Sequence, residues 1–210
     1  IHGYIQLLRR AQARGQVDAD RLARYLPTLD SLANRLGGLV DDLLDVSRLR
    51  LGQLPFRPRT LDLGALVRTV AARDDEQAPA EQPLLLDLPP GACWVNADAD
   101  RLEQVLANLL SNARKYSPAG GAIRVTLRPD GAGVLLCVQD SGIGLPPDSA
   151  EVIFTPFGRA PNALARHLPG LGLGLYLCRE IVAQHGGRIW AESAGEDQGT
   201  TVNVWLPAQD

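Results

Sequence analysis

The chain has 210 residues, 45% hydrophobic and 21% charged, with a net charge of -3, a globular composition for one or two domains of ~150 residues each. No apolar run approaches the ~18 residues of a membrane span, and the slight acidity supplies no basic field, so a spanning segment, contact with a membrane surface and nucleic-acid binding are disfavoured. Three cysteines, Cys93, Cys137 and Cys178, are widely spaced and form no C-x-x-C pair, which argues against a zinc cluster or a disulfide scaffold and makes a reducing cytoplasm the expected compartment.

Ile1 opens no signal peptide and the chain contains no Met, so it reads as a piece of a longer soluble region. Residues 1–13 predict a helix, broken by Gly15 and the Asp18/Asp20 pair. From Arg21 a heptad sets in, with Leu22, Leu29, Leu36 and Leu43 at one seam position and Tyr25, Leu32, Leu39 and Val46 at the other. It runs to Arg50, where Gly52, Pro55 and Pro58 stop it. Such a hairpin leaves much apolar surface uncovered; a homodimeric four-helix bundle would bury it, packing against the rest of the same chain being the alternative.

A second domain is expected from residue 56, giving units of 1–55 and 56–210. Asp62 to Ala72 predicts a short amphipathic helix, and Leu84 to Leu88 and Trp94 to Val95 predict strands on either side of Pro89-Pro90-Gly91. Asp98 or Asp100 can cap a helix reaching Tyr116, with Glu103 completing a capping box from Asp100. Its core face is Leu102, Val105, Leu106, Leu109 and Leu110. Ile123, Val125 and Leu127, then Val134, Leu136 and Val138, alternate on either side of Asp130-Gly131, a hairpin pattern. Leu173 to Gln184 predicts a helix ended by Gly186-Gly187, and strands near Arg188 to Ala191 and Thr201 to Leu206 finish the chain.

Polar residues of this second domain carry the candidate chemistry. Asn108, Asn112, Lys115 and Tyr116 fall on one stripe of the capped helix, away from its leucine face. Two carboxamides one turn apart offer neutral oxygens to a hard divalent cation, and Lys115, the single lysine among 21 basic residues, can meet phosphate. A solvated polar face has the same pattern. Asp140-Ser141-Gly142-Ile143-Gly144 follows the second hairpin strand; a carboxylate there can accept from the exocyclic amine of adenine, and the glycines permit close approach or positive φ, although an Asp-x-Gly turn without ligand reads alike. Residues 145–169 form a long aperiodic segment of the kind that serves as a lid. It leads into Gly170-Leu171-Gly172-Leu173-Gly174-Leu175 at a helix start, where exposed amides and the helix dipole favour phosphate. This run is neither a Walker loop nor a dinucleotide fingerprint.

Taken in order, Asn108 to Tyr116, Asp140 to Gly144, Ile153-Phe154-Thr155-Pro156-Phe157-Gly158-Arg159 and Gly170 to Leu175 resemble the N, G1, F and G2 boxes of sensor histidine kinases. His185-Gly-Gly and Gly199-Thr200-Thr201 fit the same family, as do Ile1 to Leu8 and Val40 to Leu49 within its dimerisation hairpin. The resemblance implies an α+β chain: a dimerisation and phosphotransfer hairpin, then a two-layer α/β sandwich of the GHKL ATP-binding type. It implies ATP and Mg²⁺ as cofactors, a homodimer, and a response-regulator receiver domain as partner, the whole protein being cytoplasmic or anchored in a membrane by parts outside this chain.

Carried over by position, Asn112 holds Mg²⁺ with Asn108 assisting, Lys115 meets phosphate oxygens and Tyr116 lies beside the nucleotide. Asp140 holds adenine, with Gly142, Gly144 and Thr200 around it. Gly170, Leu171, Gly172, Leu173, Gly174 and Leu175 form the phosphate loop, and Arg159 neutralises charge on the transferred group; the catalytic set is thus Asn108, Lys115 and Arg159. Phe154 and Phe157 anchor the lid to the core. The phosphoacceptor histidine is implied upstream of Ile1, leaving His2, His167 and His185 without that role. Leu171 stands where the family commonly has Thr or Ser, and Gly158 where it frequently has an aromatic, which implies looser lid packing. The related ATP hydrolases place a general-base Glu where this chain has Asn108; such a hydrolase, or a non-catalytic nucleotide-binding scaffold, is the alternative function.

Overall fold

The computed structural model describes residues 55–76 and 78–209, together with 26, 29, 30, 33, 37, 38, 40, 43–49 and 51. The chain divides into two compact units, Ile1–Arg48 and Leu49–Asp210. In the first, every described residue is helical, and Leu26, Val40, Leu43 and Leu44 are exposed. The expected helix over 1–13, its turn and most of the heptad lie outside the described residues.

The second unit opens with strand β1 (Arg59–Asp62), which the sequence pattern did not reveal, and helix α1 (Leu63–Asp75). Asp62 accepts at Oδ1 from the Gly64 and Cys93 amides, both at 3.0 Å, so one carboxylate caps α1 and ties it to the segment before β3 (Trp94–Ala97). β1 pairs antiparallel with β3 in a small separate sheet. Strand β2 (Leu84–Asp87) runs parallel to β4 (Ile123–Asp130) at the edge of the main sheet. The turn at Pro89-Pro90-Gly91 therefore joins two sheets and closes no hairpin.

Helix α2 (Ala99–Lys115) is capped by Asp98, which accepts from Asp100 N at 3.1 Å and Arg101 N at 3.3 Å. The capping box expected from Asp100 is not formed, because Glu103 pairs instead with Arg73 of α1. β4 and β5 (Gly133–Gln139) form the expected hairpin, with Gly131 at φ +61° in its loop. Helix α3 (Pro161–Ala165) lies within the long segment; helix α4 (Gly174–Gln184), β6 (Arg188–Glu192) and β7 (Thr201–Pro207) follow.

The main sheet has the order β2-β4-β5-β7-β6, antiparallel except at β2–β4. Alternation along the strands turns Ile123, Val125, Leu127, Val134, Leu136, Val138, Val204 and Leu206 towards one face. There they meet Leu63 and Val67 of α1, Leu102, Val105, Leu106 and Leu109 of α2, and Leu177, Ile181 and Val182 of α4 in one core. Three helices on one face of a mixed sheet make a two-layer α/β sandwich. Against this core the apolar face of α2 is fixed, and its polar stripe is left facing outwards.

Candidate functional site

Burial of the leucine face holds Asn108, Asn112 and Lys115 half-exposed on the same side of α2. They form a chain of hydrogen bonds: Lys115 Nζ donates to Asn112 Oδ1 at 2.9 Å, and Asn112 Nδ2 donates to Asn108 Oδ1 at 2.8 Å. The ammonium also sits 4.1 Å from the centre of the Tyr116 ring. The glycine run lies against this chain. A Cβ on Gly174 would fall 2.3 Å from Asn108 Nδ2, and one on Gly170 would fall 3.2 Å from Lys115 Nζ. A side chain at Gly174 would displace the Asn108 carboxamide from this chain of hydrogen bonds, so glycine here lets the helix start lie close to the stripe. The first-turn amides of α4 have no carbonyl partner within the helix, and Gly174, at its first residue, lies against Asn108.

Of the leucines in this run, Leu173 is buried and Leu175 packs against both apolar clusters, so only their backbones can serve a ligand; Leu171 is exposed. Gly172 has φ +73°, and a Cβ there would lie 2.7 Å from the Gly158 carbonyl oxygen. The glycine loop is thus seated on the loop that contains Phe157 and Gly158.

At the end of β5, Asp140 is buried and accepts at Oδ1 from Gly142 N at 2.8 Å and Thr200 N at 3.1 Å. Burial pushes its carboxyl above the usual range, opposed by those two amides. Both hydrogen bonds fall on Oδ1, which leaves Oδ2 for an incoming donor such as an amine of a purine. The glycines beside it serve the protein backbone: a Cβ on Gly142 would lie 2.1 Å from the Tyr116 carbonyl oxygen, and one on Gly144, at φ +59°, would lie 2.0 Å from that of Gly195. Ile143 N donates to the Tyr116 carbonyl at 2.9 Å. Tyr116, the C-cap of α2, thereby joins the Asp140 segment to the polar stripe.

Gly199, part of the family resemblance but given no role by it, is at φ +71°, and a Cβ there would strike the Asp140 carbonyl oxygen at 2.2 Å. Asn162 of α3 is a buried polar residue in an aperiodic stretch, and no spacing marks it.

The loop residues differ from expectation in two respects. Phe154 is buried in the second apolar cluster, as an anchor should be, but Phe157 is 61% exposed. Thr155 to Gly158 close a turn, with Gly158 N donating to Thr155 O at 2.9 Å, Pro156 at its second position and Phe157 at φ +63° at its third. That backbone turns the Phe157 ring outwards and makes Phe hold a conformation that favours glycine. Gly158 does not loosen the loop: a Cβ there would lie 1.9 Å from the Val152 carbonyl oxygen. Arg159 remains within this loop. Its guanidinium donates to the Leu168 carbonyl and its buried Nε has no partner, and no hydrogen bond joins it to Asn108, Asn112 or Lys115.

Among the described residues no group of three or more His, Cys, Asp and Glu could hold a metal. An all-protein metal cage is absent there, and a cation at the stripe would have to arrive with oxygens of its own.

Residues 97–210 match the family of histidine kinase-, DNA gyrase B- and HSP90-like ATPases. The chain belongs to this ATPase family. The relatives it matches are sensor histidine kinases. It is 34% identical over 193 residues to sensor histidine kinase WalK of Bacillus subtilis, covering 91% of this chain and 31% of that protein. It is 31% identical over 208 residues to the sensor-like histidine kinase SenX3 of Mycobacterium tuberculosis, covering 98% and 50% respectively. The chain thus spans half or less of the length of these curated relatives. Among solved structures, it is similar to full-length ShkA in complex with AMPPNP, with a TM-score of 0.75 and 26% identity over 91% of this chain and 40% of that one. It is also similar to histidine kinase ThkA in complex with the response regulator protein TrrA, with a TM-score of 0.76 and 25% identity over 98% of this chain and 57% of that one. No helix among the described residues is long and apolar enough to cross a membrane.

Proposed function

We propose that this chain is the ATP-binding kinase part of a two-component sensor histidine kinase, delivering the γ-phosphoryl group of ATP to a histidine and thence to an aspartate of a response-regulator receiver domain. One arrangement carries the reading: the linked Asn108, Asn112 and Lys115 side chains face Gly170 and Gly174 at the start of α4, while Tyr116 joins them to the buried Asp140. A triphosphate on the stripe and a purine amine on Asp140 Oδ2 would use both halves at once. Kinship with proteins named histidine kinases, one solved with AMPPNP and one with a response regulator, supports it.

In this reading Asn112, assisted by Asn108, would lend neutral oxygen to Mg²⁺ once Lys115 turns from Asn112 Oδ1 towards phosphate. A hard ion that keeps much of its water suits so sparse a donor set. When bound, the ion neutralises charge on the phosphates. Lys115 adds a compact positive charge there, and the α4 amides donate to phosphate oxygens. Asp140, with Thr200 and the glycines 142 and 144 around it, orients adenine, and Tyr116 flanks it. Arg159 would have to leave the Leu168 carbonyl to reach the phosphoryl group. In the transfer an imidazole nitrogen bonds to the γ-phosphorus as the bond to the β,γ-bridging oxygen breaks, and ADP leaves with that electron pair. His185 is unsuited as acceptor, because it is buried with both ring nitrogens engaged. The helical segment joins two copies in a bundle.

Calorimetric titration with ATP and ADP tests the site. Asn112→Ala should abolish Mg²⁺-dependent ATP binding, and Asp140→Ala should weaken ATP and ADP alike by roughly tenfold or more. Asn96→Ala, at an exposed position of β3, should change neither; equal effects at all three would sink the assignment. Asn108 cannot take a proton from water, so steady ATP hydrolysis removed by Asn108→Ala would favour the hydrolase alternative. Label from γ-labelled ATP on His167 or His185 would overturn the choice of acceptor.

A further inference from the structure

The long segment before the glycine run is not free along its length, because α3 is fastened to the Asp140 segment. Asn162, on α3, is 7% exposed, and its Nδ2 donates to the carbonyl oxygens of Ile143 at 3.1 Å and Gly144 at 3.0 Å. The donors decide the orientation of the amide, since a flip would place its oxygen against two carbonyls. Its Oδ1 is buried without a hydrogen-bond partner. The unsatisfied oxygen costs stability, and the two carbonyls satisfied by Nδ2 offset it, so the net work of this asparagine is to hold the Ile143–Gly144 backbone in place.

The peptide that Asn162 holds is anchored on one side by the buried Ile143 side chain and has no side chain on the other, at Gly144. Gly144 is at φ +59°, and the Ile143 carbonyl also accepts from Asp197 N at 2.8 Å. Arg166, at the C-cap of α3, binds both carboxylate oxygens of that same Asp197, at 2.8 and 3.0 Å. Asn162 and Arg166 thus fasten α3 to the two chains that border Ile143.

We infer that Asn162 is a positioning residue for the nucleotide: by holding the Ile143–Gly144 peptide it sets the backbone on which Asp140 and Gly142 present the base-binding geometry. This rests on the nucleotide reading given above. It makes α3 a fixed wall of the base site, and leaves residues 167–172, with His167, Gly170 and Gly172 at positive φ, as the part that adjusts to the phosphates.

The test titrates the 210-residue chain with ADP and with ATP plus Mg²⁺, and records thermal melting of each variant. Asn162→Leu keeps the buried volume and removes both donors; it should weaken ADP and ATP by the same factor, roughly tenfold, while the melting temperature falls by only a few degrees for the Gly144 carbonyl left without its donor. Asn162→Ala should show the same symmetric loss. Arg166→Ala breaks only the exposed ion pair and should change affinity less than about threefold. If the unmodified chain binds ADP and Asn162→Leu binds it equally well, the inference fails while the site reading stands. A loss confined to ATP would place the effect at the phosphates and also overturn it. An unmodified chain that binds neither nucleotide removes the site reading and this inference together.

Discussion

His185 sits where three parts of the second unit meet. Its Nδ1 lies 2.7 Å from the Ile181 carbonyl and therefore carries the proton, while Nε2 accepts from Asp98 N at 3.0 Å. The edge of the Phe56 ring packs 4.7 Å from the imidazole. Burial lowers the pKa of His185, against the opposing pull of the Ile181 carbonyl and the Asp98 charge. Protonation would set an imidazole N–H against the Asp98 N–H. As pH falls below the unfolded value of ~6.5 the unfolded chain takes up the proton first, so this stability is complete above that pH and is lost as pH falls through the folded value. Burial would raise the Asp98 carboxyl, but amides of Arg57, Arg101 and Asp100 more than offset it, so its pKa is lowered. Its stabilisation is lost only on acidification below ~3.9, outside this window. The urea midpoint should therefore fall between pH 7.5 and pH 5.5, and His185→Gln, which can both donate and accept, should flatten that slope. A slope unchanged in His185→Gln would assign it to another group. The legibility of single residues divides along the same physical line. The stripe at 108, 112 and 115 is written in helical spacing, whereas the Asn162 bonds reach 19 and 18 residues back and follow no period.

Whole elements were legible where a pattern is local. The alternation of β4 and β5 and the heptad-like leucine face of α2 announce themselves. β1 has four residues and pairs with β3, from Arg59–Ala97, 38 positions apart, to Asp62–Trp94, 32 apart, and no local periodicity encodes such a partner. The strand at Leu84 to Leu88 is legible as a strand, but its parallel partner β4 lies beyond α2, so the turn at Pro89-Pro90-Gly91 leads from one sheet to the other. The Phe157 loop offers the sharpest disagreement between resemblance and packing. An aromatic is frequent in the family at Gly158, but here the neighbouring carbonyl occupies the space of its Cβ. Gly158→Tyr should therefore destabilise the loop by about 1–3 kcal/mol, the usual range for overpacking. Trypsin reports on it: cleavage after Arg159 and Arg166 should accelerate in the variant while the sheet stays protected. Slower cleavage would mean that the aromatic packs and the backbone gives way.

At the scale of the molecule, the proposed nucleotide site draws only on residues of the second unit, so its occupancy and the proposed association of two chains can be tested separately. The helical unit presents Leu26, Val40, Leu43 and Leu44 to solvent at 55%, 49%, 54% and 48%, and Leu43 stands at a seam position of the heptad. A helix with that much bare apolar surface is stable in water when a partner covers it. In the proposed dimer that partner is the heptad of a second copy of the chain. Sedimentation equilibrium at roughly tens of micromolar, the range where a standard interface is populated, should give twice the 22.6 kDa of the chain. Replacing Leu36 and Leu43 together with Glu places like charges without partners at the seam, and should yield monomers because a buried unpaired charge costs several kcal/mol. The double variant should bind ADP as the unmodified chain does, since neither residue belongs to the unit that carries the stripe, Asp140 or the glycine run. Monomers from the unmodified chain, or dimers from the double variant, would remove the heptad as the dimer seam and leave the nucleotide site as it stands.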